Sequence, residues 1–125
     1  MVAYGNQLRK VADTGPGGFA LQNGTPNILS WTAPDDGQQH AVLLYYDEQV
    51  SAGLAGGAVQ CSITFPDGVT TYNVGAGTAS TSAGPHLNAA GQATMLVGPG
   101  ETVTLHQSSA VTAGSVTVWA QIWAS

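Results

Sequence analysis

Apolar and polar residues alternate with a period of two along much of this chain. Over residues 58–65, Val59, Cys61, Ile63 and Phe65 fall on one face and Gln60, Ser62 and Thr64 on the other. That is the pattern of a half-buried strand. Residues 115–124 repeat it, with Val116, Val118, Ala120 and Ile122 opposed to Ser115, Thr117, Trp119, Gln121 and Trp123. Shorter strands are predicted around Phe19 and Leu21 and over 25–33, 69–74, 93–97 and 101–107, and a long apolar one over 40–50. No segment holds a 3.6-residue apolar period over a dozen positions, so no helix is expected.

Turn chemistry separates these strands. Asn23-Gly24 is the favoured two-residue hairpin turn and predicts a hairpin between the strands on either side. Pro34-Asp35-Asp36-Gly37 is a turn cluster, Pro66-Asp67-Gly68 closes a tight turn, and Gly98-Pro99-Gly100 is read as a second hairpin turn. Residues 53–57 and 75–91 read as loops of small residues. Gly15-Pro16-Gly17-Gly18 breaks regular structure, so residues 1–17 are expected to form an extended N-terminal arm and 18–125 the folded domain. Short strands with Gly/Pro turns predict an all-β antiparallel sandwich of the jelly-roll type.

Two strands are too apolar for one sandwich. A strand in a two-sheet sandwich has one core face and one solvent face. The last strand carries Trp119 and Trp123 opposite its aliphatic face, and the long strand has Ala41, Leu43 and Tyr45 on one side and Val42, Leu44 and Tyr46 on the other. Each Trp is worth up to about 4–6 kcal/mol if wholly buried. Three readings are open: the N-terminal arm folded over its own sandwich, a neighbouring copy of the chain, or aromatics left solvated or serving as a sugar platform. The second is favoured, and Trp119, Trp123, Gln121, Tyr46 and Leu44 are the expected self-association surface.

Composition narrows the function. Of 125 residues 43% are hydrophobic, enough for a core, but only 7% are charged, against about 25% in ordinary soluble proteins. Net charge is −5, and the only cations are Arg9 and Lys10. Neutralising nucleic-acid phosphates or an anionic membrane takes several cations, so neither partner is expected. Their shortage also removes like-charged cations that a self-contact would otherwise bring together. Cys61 is the single cysteine, which rules out an intramolecular disulfide and a cysteine zinc cluster; it reads as a buried small hydrophobe. No apolar run approaches the roughly 18 residues of a membrane helix, and no signal-peptide pattern opens the chain. The sequon Asn23-Gly24-Thr25 is therefore read as a turn.

Catalytic patterns are missing. No Gly-x-Ser-x-Gly elbow occurs, and His40, His86 and His106 lack metal-ligand spacing, so each is read as solvated or structurally bonded. Asp47 and Glu48 are adjacent on a strand and point to opposite faces, a poor acid–base pair. Asp35-Asp36-Gly37 lacks the full spaced ligands of a calcium loop. Gly75-Ala76-Gly77-Thr78-Ala79-Ser80 nearly matches a dinucleotide fingerprint, but no helix follows it. No enzyme, cofactor or metal is expected.

The order of features from Trp31 onward resembles the small jelly-roll proteins of tailed bacteriophages that decorate capsids or tip fibres. Trp31-Thr-Ala-Pro-Asp-Asp-Gly37 opens onto a long apolar strand, a glycine loop and a Phe-Pro-Asp-Gly turn follow, and Val97-Gly-Pro-Gly-Glu-Thr-Val-Thr-Leu105 precedes the final Gly114-Ser-Val-Thr-Val-Trp-Ala-Gln-Ile-Trp123 strand. The last two segments are also similar to tumour-necrosis-factor-like jelly rolls, which commonly pack as trimers. The resemblance covers about three-quarters of the chain and rests on turn and strand patterns. It implies a capsid decoration protein, a homotrimer bound to the major capsid protein on the virion surface and made in the host cytoplasm. Tyr4, Arg9 and Lys10 on the arm would then meet the shell. A fibre-tip, receptor-binding or carbohydrate-binding module is the alternative.

Overall fold

The computed structural model describes residues 7–20, 27–52, 58–66, 71–78, 88–107 and 115–125, with 49–52, 58–62, 71–78, 88–90 and 115–116 described by backbone alone. The strands are β1 (Arg9–Asp13), β2 (Phe19–Ala20), β3 (Asn27–Thr32), β4 (His40–Ala52), β5 (Ala58–Thr64), β6 (Thr71–Thr78), β7 (Asn88–Val97), β8 (Thr102–Gln107) and β9 (Ser115–Ala124). Every pairing is antiparallel. One sheet runs β1-β9-β4-β7, with β2 also paired to β9; the other runs β3-β8-β5-β6. The protein is an all-β sandwich. Among the described residues, no helix is long and apolar enough to cross a membrane.

Alternation places the core between the sheets. Val42, Leu44 and Tyr46 of β4 and Val118, Ala120, Ile122 and Ala124 of β9 meet Ile28, Ile63, Val103 and Leu105 of the opposite sheet. Each large aliphatic side chain removed from water there contributes about 1.5–3 kcal/mol. Glu48 and Gln107 are also buried, and among the described residues no buried side-chain nitrogen or oxygen lacks a hydrogen bond.

Two expected hairpins are crossovers. β2 pairs with β9 whereas β3 pairs with β8, so the chain changes sheets between them; Asn23-Gly24 lies outside the described residues. β7 and β8 likewise belong to different sheets. The Gly98–Glu101 turn joins them and is tied to the end of β3. Ala33 N–H donates to the Glu101 carbonyl (2.9 Å) and Gly100 N–H to the Ala33 carbonyl (3.1 Å). The hairpin expected between β5 and β6 is formed.

Two more expectations are corrected. Arg9–Asp13 is a paired edge strand of the larger sheet, so a free arm does not extend to residue 17; Tyr4 lies outside the described residues. The loop expected over 75–91 is strand as far as Thr78 and again from Asn88. Residues 53–57 and His86 lie outside the described residues, as does the Cys61 side chain.

Candidate functional site

The outward face of the larger sheet is assembled by register. Trp123 lies opposite Lys10 on one side and Leu43 on the other, and Leu43 opposite Thr94. The next row is Asp13, Gln121, Tyr45 and Gln92, and beyond it Trp119 faces Asp47. Such cross-strand neighbours stand within side-chain reach. Trp119, Gln121 and Trp123 therefore share a face, as expected. Leu44 and Tyr46 do not join them. They are 0% and 1% exposed, pointing into the core opposite Ile122 and Ala120. The outer positions of β4 belong to Ala41, Leu43, Tyr45 and Asp47. Period-two alternation marks two faces but not which one meets the tryptophans, and both carry a Tyr and a carboxylate.

The face divides into two regions. At one end, the connection between β1 and β2 folds back over β9. Thr14 N–H donates to the Ala120 carbonyl and Ala120 N–H to Thr14 Oγ1, both at 3.1 Å. Trp119 Nε1–H donates to the Pro16 carbonyl (3.0 Å). Gly18, at φ +70°, passes so close that a Cβ there would stand 3.0 Å from the Trp119 ring. The chain itself thus half-covers Trp119. Beside it lies a groove of about 450 Å³ bounded by Lys10, Asp13, Tyr45, Asp47, Trp119 and Gln121.

Hydrogen bonds hold the groove. Gln121 Oε1 accepts from Tyr45 Oη–H (2.7 Å) and from Trp123 Nε1–H (2.9 Å). Lys10 Nζ stands 2.7 Å from Asp13 Oδ2, and Gly15 N–H donates to Asp13 Oδ1 (2.9 Å). The Lys10 contact first, then the Gly15 N–H, hold the Asp13 carboxyl below its ordinary value. Lys10 is thus spent within its own strand.

At the other end the face is apolar. Leu8, Ala41, Leu43 and Leu96, with Thr94 beside them, border a shallow groove of about 330 Å³. Leu96 is 64% and Leu8 41% exposed. The sequence reading missed this patch, because Leu96 became an outward residue only once β7 was paired with β4.

His40 is structurally bonded. Its Nδ1 lies 2.8 Å from the Ser125 backbone oxygen and its Nε2 3.1 Å from Asp36 Oδ2. Its ring meets Trp31 edge-on, with centroids 5.8 Å apart. The Ser125 oxygen first, then Asp36, raise its pKa, against opposing effects of burial and of the Arg9 charge. His106 is half-buried on β8. Asp47 is exposed and Glu48 buried, on opposite faces. Among the described residues no three His, Cys, Asp or Glu side chains gather as metal ligands.

Comparison with protein-family models finds no match, and no curated protein is similar enough in sequence to count as a relative.

Proposed function

We propose that this chain is a non-enzymatic structural protein of a virion, a capsid decoration protein of a tailed bacteriophage, which associates with copies of itself and clamps the major capsid protein of the shell. The carrying observation is the apolar end of the larger sheet, where Leu8 and Leu96 stand exposed beside Leu43. Contiguous exposed apolar surface on a small domain marks an interaction site. Among the described residues no charged side chain borders this patch, so two copies of a chain of net charge −5 can meet there without burying like charges. The strand order supports the jelly-roll reading: strands 1-9-4-7 facing 3-8-5-6 is the nesting of a doubled Greek key.

The test is the native mass by light scattering of the parent chain and of Leu96→Asp. A trimeric parent and a monomeric variant with unchanged circular dichroism are expected, since Leu96 takes no part in the core. A monomeric parent would sink the self-association. For the shell, phage particles with and without the chain are heated, and particles lacking it should open at lower temperature. Equal opening temperatures, with no chain co-sedimenting, would remove the capsid assignment.

A further inference from the structure

We propose that the groove between β1 and β4, over Trp119 and Gln121, is a binding site for a neutral mono- or disaccharide. The inference is independent of the self-association, which uses the opposite end of the same face.

Three observations carry it. First, the groove is built in advance. Trp119 is pinned to the Pro16 carbonyl, Tyr45 and Trp123 both donate to Gln121 Oε1, and Thr14 is doubly bonded to Ala120. Its volume of about 450 Å³ falls within the range of small-molecule sites. A ligand entering it would not have to order these side chains, which keeps the cost of binding low.

Second, the polar groups left over are those a polyol needs. With Oε1 occupied, the Gln121 amide retains its two N–H donors, which have no partner among the described residues. Asp47 is exposed and has no partner among the described residues, so its carboxylate can accept from hydroxyls. Tyr45 Oη–H donates its hydrogen bond to Gln121, and the oxygen keeps its acceptor lone pairs. A donor, a hydroxyl oxygen and a carboxylate beside two aromatic rings match vicinal hydroxyls on an otherwise apolar sugar ring.

Third, charge disfavours the other small ligands. The groove's only cation, Lys10, is paired with Asp13, leaving the unpaired Asp47 charge. A phosphate, nucleotide or acidic sugar would meet net negative charge with no free cation to bind it.

The experiment is a titration of the full chain by tryptophan fluorescence and by amide shifts in NMR spectra. The probes are glucose, galactose, mannose, N-acetylglucosamine and their simple disaccharides, with sialic acid and calcium ion as comparisons. Saturable binding of at least one neutral sugar is expected, with the shifts centred on Tyr45, Trp119 and Gln121. Asp47→Ala should weaken it about tenfold or more, the loss of a charge-assisted hydrogen bond, with no change in native mass. Asp47 is exposed, so folding of this variant is not at issue. No saturation up to about 50 mM, well past the millimolar affinities of weak sites, would overturn the proposal. So would binding that Asp47→Ala leaves intact, or binding of sialic acid or calcium alone.

Discussion

His40 joins three stretches of chain: the turn at Asp36, the start of β4 and the backbone of Ser125. Both ring nitrogens face acceptors, so the protonated ring satisfies both and the neutral ring only one. Its raised pKa makes this a pH-dependent clamp. The stabilisation is fully present below the ordinary histidine value of about 6.5 and is lost as pH climbs through the higher folded-state value. Asp36 runs the other way. The Gln38 N–H first, and His40 after it, lower its pKa, so its contribution is lost as pH falls below about 4. Melting temperature should therefore peak between these limits and decline above about pH 6.5. In His40→Gln the decline on the alkaline side should flatten, as followed by circular dichroism; an unchanged slope would assign it to another group.

The glycines of the β1–β2 connection make a second residue-scale case. Gly18 combines φ +70° with a would-be Cβ 2.6 Å from Thr117 Cγ2 and 3.0 Å from the Trp119 ring. Gly18→Ala should cost about 2–4 kcal/mol through backbone strain and overpacking together. Gly17, one position earlier, has open space and no positive φ. Gly17→Ala should be neutral or stabilising by up to about 1 kcal/mol. Urea unfolding of the two variants reads the difference directly.

At the scale of elements, β4 shows what alternation reveals and what it hides. Its extent was legible as a continuous apolar run, and those of β5 and β9 as long period-two patterns, each bounded by turn residues. Which face of β4 is buried was not. Leu43 and Leu44 are chemically identical neighbours, and only pairing with β9 sends Leu44 inward against Ile122. Leu44→Ala should cost about 2–5 kcal/mol, and Leu43→Ala about 1 kcal/mol or less. Comparable losses in denaturant titrations would contradict this assignment. The misread hairpins have a related cause. Asn-Gly and Gly-Pro-Gly specify that the chain turns, not which sheet receives the next strand. β1 was missed because Arg9–Asp13 offers only Val11 and Ala12 to the core, a pattern too short to mark an edge strand. The groove was half legible: Trp119 and Gln121 were read as an outward pair, but Tyr45, Asp47 and Asp13 reach them only through the sheet.

In the whole molecule, the two ends of one sheet face have different chemistry. Aliphatic side chains gather around Leu96, and aromatic and hydrogen-bonding groups around Trp119. A copy of the chain seated on the first region leaves the second open, so the Leu96→Asp and Asp47→Ala variants should separate assembly from ligand binding. The sheet order has a further consequence during synthesis. β9 lies between β1 and β4, yet among the described strands it comes after all the others in sequence. While the ribosome is still adding residues beyond β8, the backbone groups of β4 that β9 will pair remain unmatched, and Leu44 and Tyr46 have no Ile122 or Ala120 beside them. The nascent chain therefore carries β4 (His40–Ala52) without its β9 partner until Ser115–Ala124 has been made, a window in which a chaperone or a strand from another nascent copy can reach it first.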